Sequence, residues 1–268
     1  MGIGQRWFLG GNLWAGSLLR EVTALVKAFE RPKSLDLLIR SIRRFYPGLK
    51  VLVGDDGFTP SPRSDVGYLR LPPDIGLSAG RNAMVSMVDT PYFLLLEDDM
   101  EFSAETRIEL LAQLVSDDVV DLAAGDLVRC KKKLFYVRRK PQHYNGLFDL
   151  RDGHLRLVEG NLGGGLEYQL CDIVANFFVA RTAQILQIGG WDEDLKLQEH
   201  EEFFFRTKRC GLRIGFCPGV QIYHWVARPR RYSQLRARDF GSLAAEKMQI
   251  YRFTDFLGRT HDYSRRAA

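Results

Sequence analysis

Apolar residues in the first hundred positions alternate between unbroken runs and runs with helical spacing. Val22 to Phe29 is an apolar run of strand length, and residues 49–53 (LKVLV) form a second one. Between them, apolar residues recur every three or four positions, as on one face of a helix, at Leu35, Leu37, Leu38, Ile39, Ile42 and Phe45. Pro47-Gly48 ends that helix. The pattern predicts a buried strand, a helix and a second buried strand.

The same alternation continues to residue 100. A short strand at 67–71 (GYLRL) follows a proline-rich loop, and a glycine-initiated helix covers 76–88 (GLSAGRNAMVSMV). A third apolar strand, PYFLLLEDDM at 91–100, ends in acids. Strands that alternate with helices are typical of an open parallel sheet covered by helices on both faces. Ligands bind such sheets at the carboxyl ends of the strands, so AFER (28–31), GDDG (54–57) and EDDM (97–100) should share one rim.

After residue 120 the pattern predicts antiparallel strands and hairpins. The segments concerned are 121–129, 133–139 (KLFYVRR) and 154–160, with a turn at RDGH (151–154). Residues 171–181 (CDIVANFFVAR) are interpreted as one strand, 183–195 as a short helix and loop, 199–211 as a helix closed by Gly211, and 212–225 as the last core element.

Composition fits one large domain with an appendage. The chain has 268 residues, of which 46% are hydrophobic and 26% charged, and it contains no linker, internal repeat or low-complexity tract. Its cysteines form neither a CxxC pair nor a zinc spacing, which predicts buried reduced thiols at Cys130, Cys171, Cys210 and Cys217.

Positive charge is concentrated at the C-terminus. The net charge is +5, and residues 228–268 contain ten Arg/Lys against four Asp/Glu, with aromatic residues between them. Such a tail either packs on the domain as a helix or lies peripherally on an anionic membrane surface. No run approaches the ~20 apolar residues of a membrane span, and the glycine-broken N-terminus does not resemble a signal peptide. We expect a cytoplasmic protein, peripheral at the inner membrane face at most, and no nucleic-acid partner.

The acids Glu97, Asp98 and Asp99 end an all-apolar strand, where charge is costly unless it is paired or metal-bound. Their oxygens suit Mg²⁺ or Mn²⁺, and such a cation would neutralise a diphosphate leaving group. A solvated strand end is the alternative. His224 follows a strand-like run, GVQIY. A lone histidine of this kind is usually structural, but beside an acidic metal site it is a sensible third ligand.

Two further clusters carry candidate chemistry. Asp55 and Asp56 end the second strand and suit a base edge or ribose hydroxyls, although a simple Asp-Gly turn explains them equally well. Arg81 lies in the first turns of a helix behind a glycine loop, where it could face a phosphate. The glycine pattern is neither GxGxxG nor a P-loop, which disfavours a dinucleotide or ATP site.

The helix predicted at 199–211 opens with four ionisable residues, Glu199, His200, Glu201 and Glu202, followed by three phenylalanines. Carboxylates beside apolar side chains are candidates for a general base. Acids in a first helical turn also stabilise the helix dipole without any catalytic role. The sequence leaves both interpretations open.

Taken in order, these motifs resemble a GT-A glycosyltransferase related to family 2, and most closely the family 12 β-1,4-N-acetylgalactosaminyltransferases that build gangliosides. The resemblance runs from about Val22 to Trp225. Its pieces are F-x-R (29–31), SIRRFYP (41–47), the acidic pair 55–56, AGRN (79–82), EDD (97–99), NFFVAR (176–181) preceded by Asp172, and HEEFF (200–204).

The resemblance implies an α/β GT-A fold, with a Rossmann-like nucleotide-binding open sheet and a smaller antiparallel region on the acceptor side. The GT-A domain would cover 1–227, with its nucleotide-sugar half at 21–130 and its acceptor half at 131–227, and 228–268 would be a basic aromatic helical appendage. It implies an inverting enzyme that moves a sugar, GalNAc first, from a UDP-sugar to a hydroxyl of a glycan or glycolipid, with Mn²⁺ or Mg²⁺. The long N-terminal lumenal region of the animal enzymes is absent, which suggests a bacterial form or a truncated Golgi lumenal one.

Residue roles follow from the same resemblance. The uridine and diphosphate pocket would be lined by Arg31, Asp55, Asp56 and Arg81. Glu97, with Asp98 beside it, occupies the first position of the D-x-D motif, near the ribose, whereas Asp99 and His224 would hold the metal. Asn176 and Trp191 would border the sugar and acceptor.

The catalytic base stays open at this point. His200 stands where many inverting relatives carry an aspartate, so its neighbours are alternatives, with Glu202 preferred, then Glu201 and Glu199.

Two other classes are weighed against the transferase. A nucleotidyltransferase or pyrophosphorylase would need a glycine- and lysine-rich loop after the first strand, and AFERPKS lacks one. A non-catalytic carbohydrate- or membrane-binding module would not need both the acidic strand end and the acid-rich helix.

Overall fold

The computed structural model describes residues 16–226 and 238–264. The expectations for residues 1–15 and for tail residues 227–237 and 265–268 lie outside the described residues. The helices are α1 (Pro32–Phe45), α2 (Leu77–Val85), α3 (Ile108–Ser116), α4 (Thr182–Gln187), α5 (His200–Arg209) and α6 (Gly241–Met248). The strands are β1 (Val22–Ala28), β2 (Lys50–Asp55), β3 (Gly67–Arg70), β4 (Tyr92–Glu97), β5 (Met100–Glu101), β6 (Leu122–Lys132), β7 (Val137–Pro141), β8 (Asn145–Arg151), β9 (His154–Val158), β10 (Gln169–Cys171), β11 (Ile173–Val174), β12 (Phe178–Arg181), β13 (Ile214–His224), β14 (Arg252–Thr254) and β15 (Thr260–Asp262).

The larger sheet has ten strands and is parallel in its first half. Its main path runs β10-β13-β6-β12-β4-β1-β2-β3, with β5 paired to β13 and β7 to β6. Strands β4, β1, β2 and β3 are parallel neighbours, as the alternating pattern predicts. Strand β12 runs antiparallel to both β4 and β6, which makes the second half mixed.

Two hydrophobic cores cover the two faces of this sheet. Every residue of β1 is buried, and alternate side chains point to opposite faces, so Ala24 and Val26 pack with α1 while Leu25 packs on the other side. Helix α1 buries one stripe, which includes Leu38 and Ile42, and each such fully buried side chain stabilises the fold by about 1.5–3 kcal/mol. The predicted arrangement of helices on both faces is therefore confirmed.

The smaller sheet has five strands in the order β11-β8-β9-β14-β15. Strands β8 and β9 form a hairpin whose corner residues, Asp152 and Gly153, have φ of 46° and 69°. Two positive φ values in succession are typical of the type I′ turn that suits hairpin twist, which confirms the turn predicted at RDGH. In the described part of the tail, α6 is helical and β14 pairs with β9, which extends this sheet.

The segment interpreted as one strand, 171–181, is divided among three. It pairs first with β13 as β10, then crosses to β8 as β11, and returns to the large sheet as β12. The crossing is held by buried Asp172, which accepts the Phe148 N–H at 2.9 Å and pairs with Lys208 at 2.5 Å. An apolar run alone does not reveal a change of sheet. Strand β7 likewise starts at Val137 rather than at residue 133, because residues 133–136 form a turn.

The predicted burial of the thiols holds for three of the four cysteines. Cys130, Cys171 and Cys217 are buried, whereas Cys210 at the end of α5 is exposed. Burial raises the pKa of Cys171 and of Cys217 to about 12, which keeps both thiols protonated near neutral pH. Within residues 16–226 and 238–264, no helix is long and apolar enough to cross a membrane.

Candidate active site

The three polar clusters predicted for one rim do meet there. Strand β1 lies between β2 and β4 in parallel register, with Ala28 opposite Asp55 and Lys27 opposite Glu97. The carboxyl ends of β1 and β4 border a cavity of about 260 Å³. Its charged and polar lining consists of Lys27, Arg31, Arg81, Glu97, Asp98, Asp99, Arg129, Gln142 and His224.

A possible metal site lies in this cavity. One ligand atom from each of Glu97, Asp99 and His224 lies within 4.8 Å of the other two. His224 Nε2 is 3.4 Å from Asp99 Oδ1 and 3.8 Å from Glu97 Oε2. Pairing of β13 with β5, in which His224 faces Met100, brings the histidine to the acids although 125 positions separate it from Asp99. Glu97, predicted to lie near the ribose, thus belongs to the same cluster.

His224 is oriented by the groups around it. Its Nδ1 lies 3.3 Å from Gln142 Oε1, which turns Nε2 toward the carboxylates, as second-shell partners of metal-binding histidines do. Burial lowers the pKa of His224, but the hydrogen bond to Asp99 and the charges of Asp99 and Glu97 outweigh it, so the pKa is raised overall. The surroundings therefore favour positive charge at Nε2.

Arg31 neutralises the other acids of the strand end. Its guanidinium contacts Asp98 and also Asp99, the latter at 2.5 Å. Asp98 is completely buried and accepts the Phe29 N–H at 3.3 Å. Burial raises the pKa of Asp98 to about 6, against the opposing effect of Arg31. Asp98 thus holds Arg31 and the end of β1 in place in the wall of the cavity.

The carboxylates of Asp55 and Asp56 are both used within the protein. Asp55 accepts the N–H groups of Gly57 and Ser61 and the Tyr68 hydroxyl, at 2.8, 2.9 and 2.8 Å. Asp56 pairs with Lys27 and accepts the Gly76 N–H at 3.1 Å. Neither residue is among those that line the large cavity. Their placement supports the alternative that they fix the GDDG turn, rather than the direct donor contact predicted from the sequence.

Arg81 lines the cavity, and its contacts fix the positions of Glu199 and Trp191, two residues that were predicted to belong to the site. It is buried, pairs with Glu199 at 2.5 Å and lies 5.5 Å from the Trp191 ring centroid. Trp191 is 1% exposed and stacks on Phe203 at 4.5 Å between centroids. Trp191 is therefore a core residue behind Arg81, and its predicted border with the sugar or acceptor does not fit this placement. Glu199 is likewise held by Arg81 and is a poor candidate for a base.

Asn176 connects the acidic cluster to His200, the first residue of α5. Its Nδ2 donates to Glu97 Oε1 at 3.2 Å, and its Oδ1 lies 3.1 Å from His200 Nδ1. Because Oδ1 is an acceptor, Nδ1 of a neutral His200 carries the proton and Nε2 carries the lone pair. Among the described residues, Nε2 has no hydrogen-bond partner and is shielded from solvent. His200 is therefore connected to the acidic cluster through Asn176, and it is not itself among the residues that line the cavity.

Glu202, the preferred base in the sequence analysis, is tied to structure instead. It is buried and forms a two-point pair with Arg206, at 2.8 and 3.2 Å. Arg206 also donates to the carbonyls of Ile188 and Gly190, so the pair anchors the loop that follows α4. Glu201 accepts the Tyr144 hydroxyl at 3.2 Å. The carboxylate of Glu202 is thus engaged with Arg206 and does not line the cavity, a placement that favours a structural role over the predicted role of base.

We expect Glu202→Gln to weaken the fold and spare the chemistry. Loss of the charged pair should cost about 2 kcal/mol, which lowers the melting temperature by roughly 4–8 °C. Differential scanning fluorimetry measures the shift, with Glu246→Gln on the exposed side of α6 as the matched control. UDP release per folded molecule, below the melting transition, should stay within a few-fold of the parent. A hundredfold loss with an unchanged melting temperature would restore Glu202 as the base.

Some cavity residues were not singled out from the sequence. Lys27 is the one cation within the first apolar run, and that exception is a detectable signal. Arg129 and Gln142 lie on either side of the β6–β7 hairpin and reach the cavity only through tertiary pairing. No local pattern distinguishes them.

An open α/β sheet with helices on both faces, and an acid-rich cavity at the carboxyl ends of its strands, defines the GT-A class of fold. Residues 23–172 match the family described as Glycosyl transferase family 2, and the chain belongs to that family. Solved structures agree at the level of the fold. GalNAc-T7 with UDP, GalNAc and Mn²⁺ has a TM-score of 0.62 at 14% identity, covering 78% of this chain and 44% of its own. Staphylococcus aureus TarS 1–349 has a TM-score of 0.54 at 15% identity, covering 84% and 64%.

Relatives of higher identity are also known. Mouse β-1,4 N-acetylgalactosaminyltransferase 2 is 35% identical over 221 residues, which covers 81% of this chain and 41% of the relative. Human β-1,4 N-acetylgalactosaminyltransferase 1 is 33% identical over 255 residues, covering 89% and 46%. The chain thus spans less than half the length of either relative.

Proposed function

We propose that this chain transfers a sugar, GalNAc first, from a UDP-sugar to a hydroxyl of a glycan or glycolipid with inversion, and that a divalent cation assists. The observation that carries the proposal is the convergence of Glu97, Asp99 and His224 at the strand ends of a family 2 fold. Family membership favours the transferase over the pyrophosphorylase. The names of the mammalian relatives support GalNAc as the sugar.

The residues present fit a divalent cation. Two carboxylates and one imidazole combine hard oxygen ligands with a nitrogen, a set that suits Mn²⁺ and is acceptable to Mg²⁺. A cation held there would offset the charge that develops on the departing diphosphate. Arg81, a buried cation that lines the same cavity, would bind phosphate oxygens beside it. Lys27 and Arg31 also line the cavity, where each is paired with an aspartate.

We propose His200 as the general base. As the acceptor oxygen forms its bond to the anomeric carbon, its proton passes to His200 Nε2, and the bond from that carbon to the phosphate oxygen breaks with its electron pair leaving on UDP. Asn176 holds the Nδ1–H tautomer that leaves Nε2 ready to accept. Glu201 is the second candidate for the base, because it is the glutamate of the 199–202 cluster whose carboxylate is not paired with an arginine in the described residues. Attack from the face opposite UDP inverts the anomeric configuration.

A thermal-shift panel of UDP-sugars with and without Mn²⁺ tests the donor. A ligand at 100 times its dissociation constant adds ~2.7 kcal/mol to the free energy of unfolding, which is an easily measured rise in melting temperature. We expect the largest rise with UDP-GalNAc plus Mn²⁺, and little rise when either is omitted. Equal stabilisation by ATP, or none by any UDP-sugar, would contradict the proposal.

A further inference from the structure

The hairpin of β6 and β7 carries an apolar tip between two basic strands. Lys132 pairs with Val137, and the Lys133 N–H donates to the Tyr136 carbonyl at 2.8 Å, so Leu134 and Phe135 form the corner. Leu134 is 87% exposed, Phe135 91% and Tyr136 63%. Hairpin corners are ordinarily glycine, asparagine or aspartate, because these residues suit the backbone and the solvent. Large apolar residues at that place indicate a contact with something other than water.

The charge along the two strands of this hairpin is uniformly positive. Residues 127–148 contain seven Lys/Arg and no Asp/Glu, which exceeds the net charge of +5 for the whole chain. All ten residues from Lys131 to Lys140 are exposed. In the part of the chain that the structure describes, no carboxylate forms an ion pair with the six cations of this stretch. Two of these cations lie over aromatic rings instead: Arg139 over Tyr223 of β13, and Lys132 over Trp225, which follows β13.

The C-terminal tail, for which the sequence analysis left open either packing on the domain or contact with a membrane, does have carboxylate partners for its cations. Each cation of its described part is neutralised by a carboxylate at 2.6–2.9 Å. The pairs are Arg238–Asp74, Lys247–Asp192, Arg252–Asp262 and Arg259–Asp255. Among the described residues, the hairpin thus groups, within ten positions, six cations that have no carboxylate partner, whereas each cation of the tail's described part has one.

We propose that the hairpin of residues 131–140 docks the protein on an anionic lipid surface, with Leu134, Phe135 and Tyr136 entering the headgroup region. An apolar tip flanked by cations matches such a surface in both respects, since the side chains bury apolar area while the flanking charges meet acidic headgroups. An aromatic residue such as Tyr136 suits the boundary between the two.

The base of the hairpin connects this surface to the cavity. Arg129 on β6 and Gln142, which follows β7, both line the cavity, and the tip lies roughly 15 Å further along the strands at ~3.3 Å per residue. Docking would thus bring the cavity mouth close to the membrane. Binding to lipid does not depend on the proposed glycosyl transfer, so each can fail without the other.

Co-sedimentation with vesicles tests the docking. The vesicles contain phosphatidylcholine alone, or phosphatidylcholine with 30% phosphatidylglycerol, in 0.1 M salt. We expect binding to the anionic vesicles, little to the neutral ones, and a marked loss at 0.5 M salt because surface charges are then screened. Two variants separate the contributions. Leu134→Ser with Phe135→Ser removes the apolar tip, and the combined Lys131→Ser, Lys133→Ser and Lys140→Ser variant removes three cations.

Each variant should bind the anionic vesicles at least tenfold more weakly while its melting temperature is unchanged. The matched controls are Leu162→Ser with Leu166→Ser, two other exposed leucines, and Arg20→Ser with Arg40→Ser and Lys50→Ser. Both controls should bind like the parent. The proposal is overturned if the parent binds neutral vesicles equally well, if the hairpin variants bind like the controls, or if the parent binds a single-stranded oligonucleotide but no vesicles.

Discussion

Replacement of Asp99 by asparagine should lower the rate of sugar transfer by about 10²–10³-fold, the usual cost of removing a preorganised electrostatic contact to a developing charge. Asp99 is buried, and its carboxylate meets both His224 and Arg31. The amide keeps the shape of the side chain but removes the negative charge that a cation requires. The rate of UDP release at saturating donor and Mn²⁺ measures the effect.

Two further variants distinguish the loss of metal binding from a loss of stability. His224→Ala removes a ligand at the end of β13, and it should give a comparable loss together with weaker Mn²⁺ binding by calorimetry. Asp89→Asn is the matched control, because it makes the same change in an acid whose side chain is 78% exposed before β4. That control should retain parental turnover. If Asp99→Asn turns over normally in Mn²⁺, the assignment of the cation site is wrong.

The second large effect is expected at His200. Without a general base, His200→Ala should lower kcat by at least about 10²-fold and leave donor binding largely intact. His200→Asp should recover part of the rate, and the acid limb of its pH–rate profile should move to lower pH because carboxylic acids ordinarily titrate about two units below imidazoles. A purely structural histidine would not produce that displacement.

The alternative base is tested in the same assay. Glu201→Gln should keep kcat within a few-fold of the parent, and His154→Ala, which removes an imidazole from the smaller sheet, should have no effect on kcat. A loss confined to Glu201→Gln would transfer the role of base to that carboxylate.

The rim of the large sheet could be predicted because its strands are nearly continuous apolar runs. Such runs identify parallel strands buried on both faces, and their carboxyl ends meet at one edge. Glu97 and Asp99 follow from that rule, whereas His224, assigned to the metal by resemblance, reaches them through the pairing of β13 with β5. Arg81 could be placed in the cavity for a similar reason, since it lies in the first turns of the helix behind a glycine loop.

Side-chain partners within the rim were not predictable in the same way. Four ionisable residues open α5, and helical spacing alone does not say which of them meets Arg81, Arg206 or Asn176. The sequence analysis prefers Glu202 as the base, yet its carboxylate forms a pair with Arg206. Trp191 has the composition of a sugar-binding residue, but tertiary packing places it beneath Arg81.

Strand pairing in the second half of the chain was also not predictable from the local sequence. Residues 171–181 read as one strand because each of the three short pieces is apolar, and the change between sheets depends on Asp172 finding Phe148 and Lys208. The tail joins the smaller sheet through β14 and β9, a pairing about 100 positions apart in sequence. Only the folded chain brings such partners together.

Release of UDP from UDP-GalNAc tests the central claim most directly, because it requires no knowledge of the acceptor. The rate is measured in Mn²⁺, after removal of the metal with EDTA, and after Mn²⁺ is added back in excess. We predict steady release in Mn²⁺, near-complete loss in EDTA and full recovery on addition of the metal. Release that continues unchanged in EDTA, or a failure to cleave any UDP-sugar in Mn²⁺, would contradict the account.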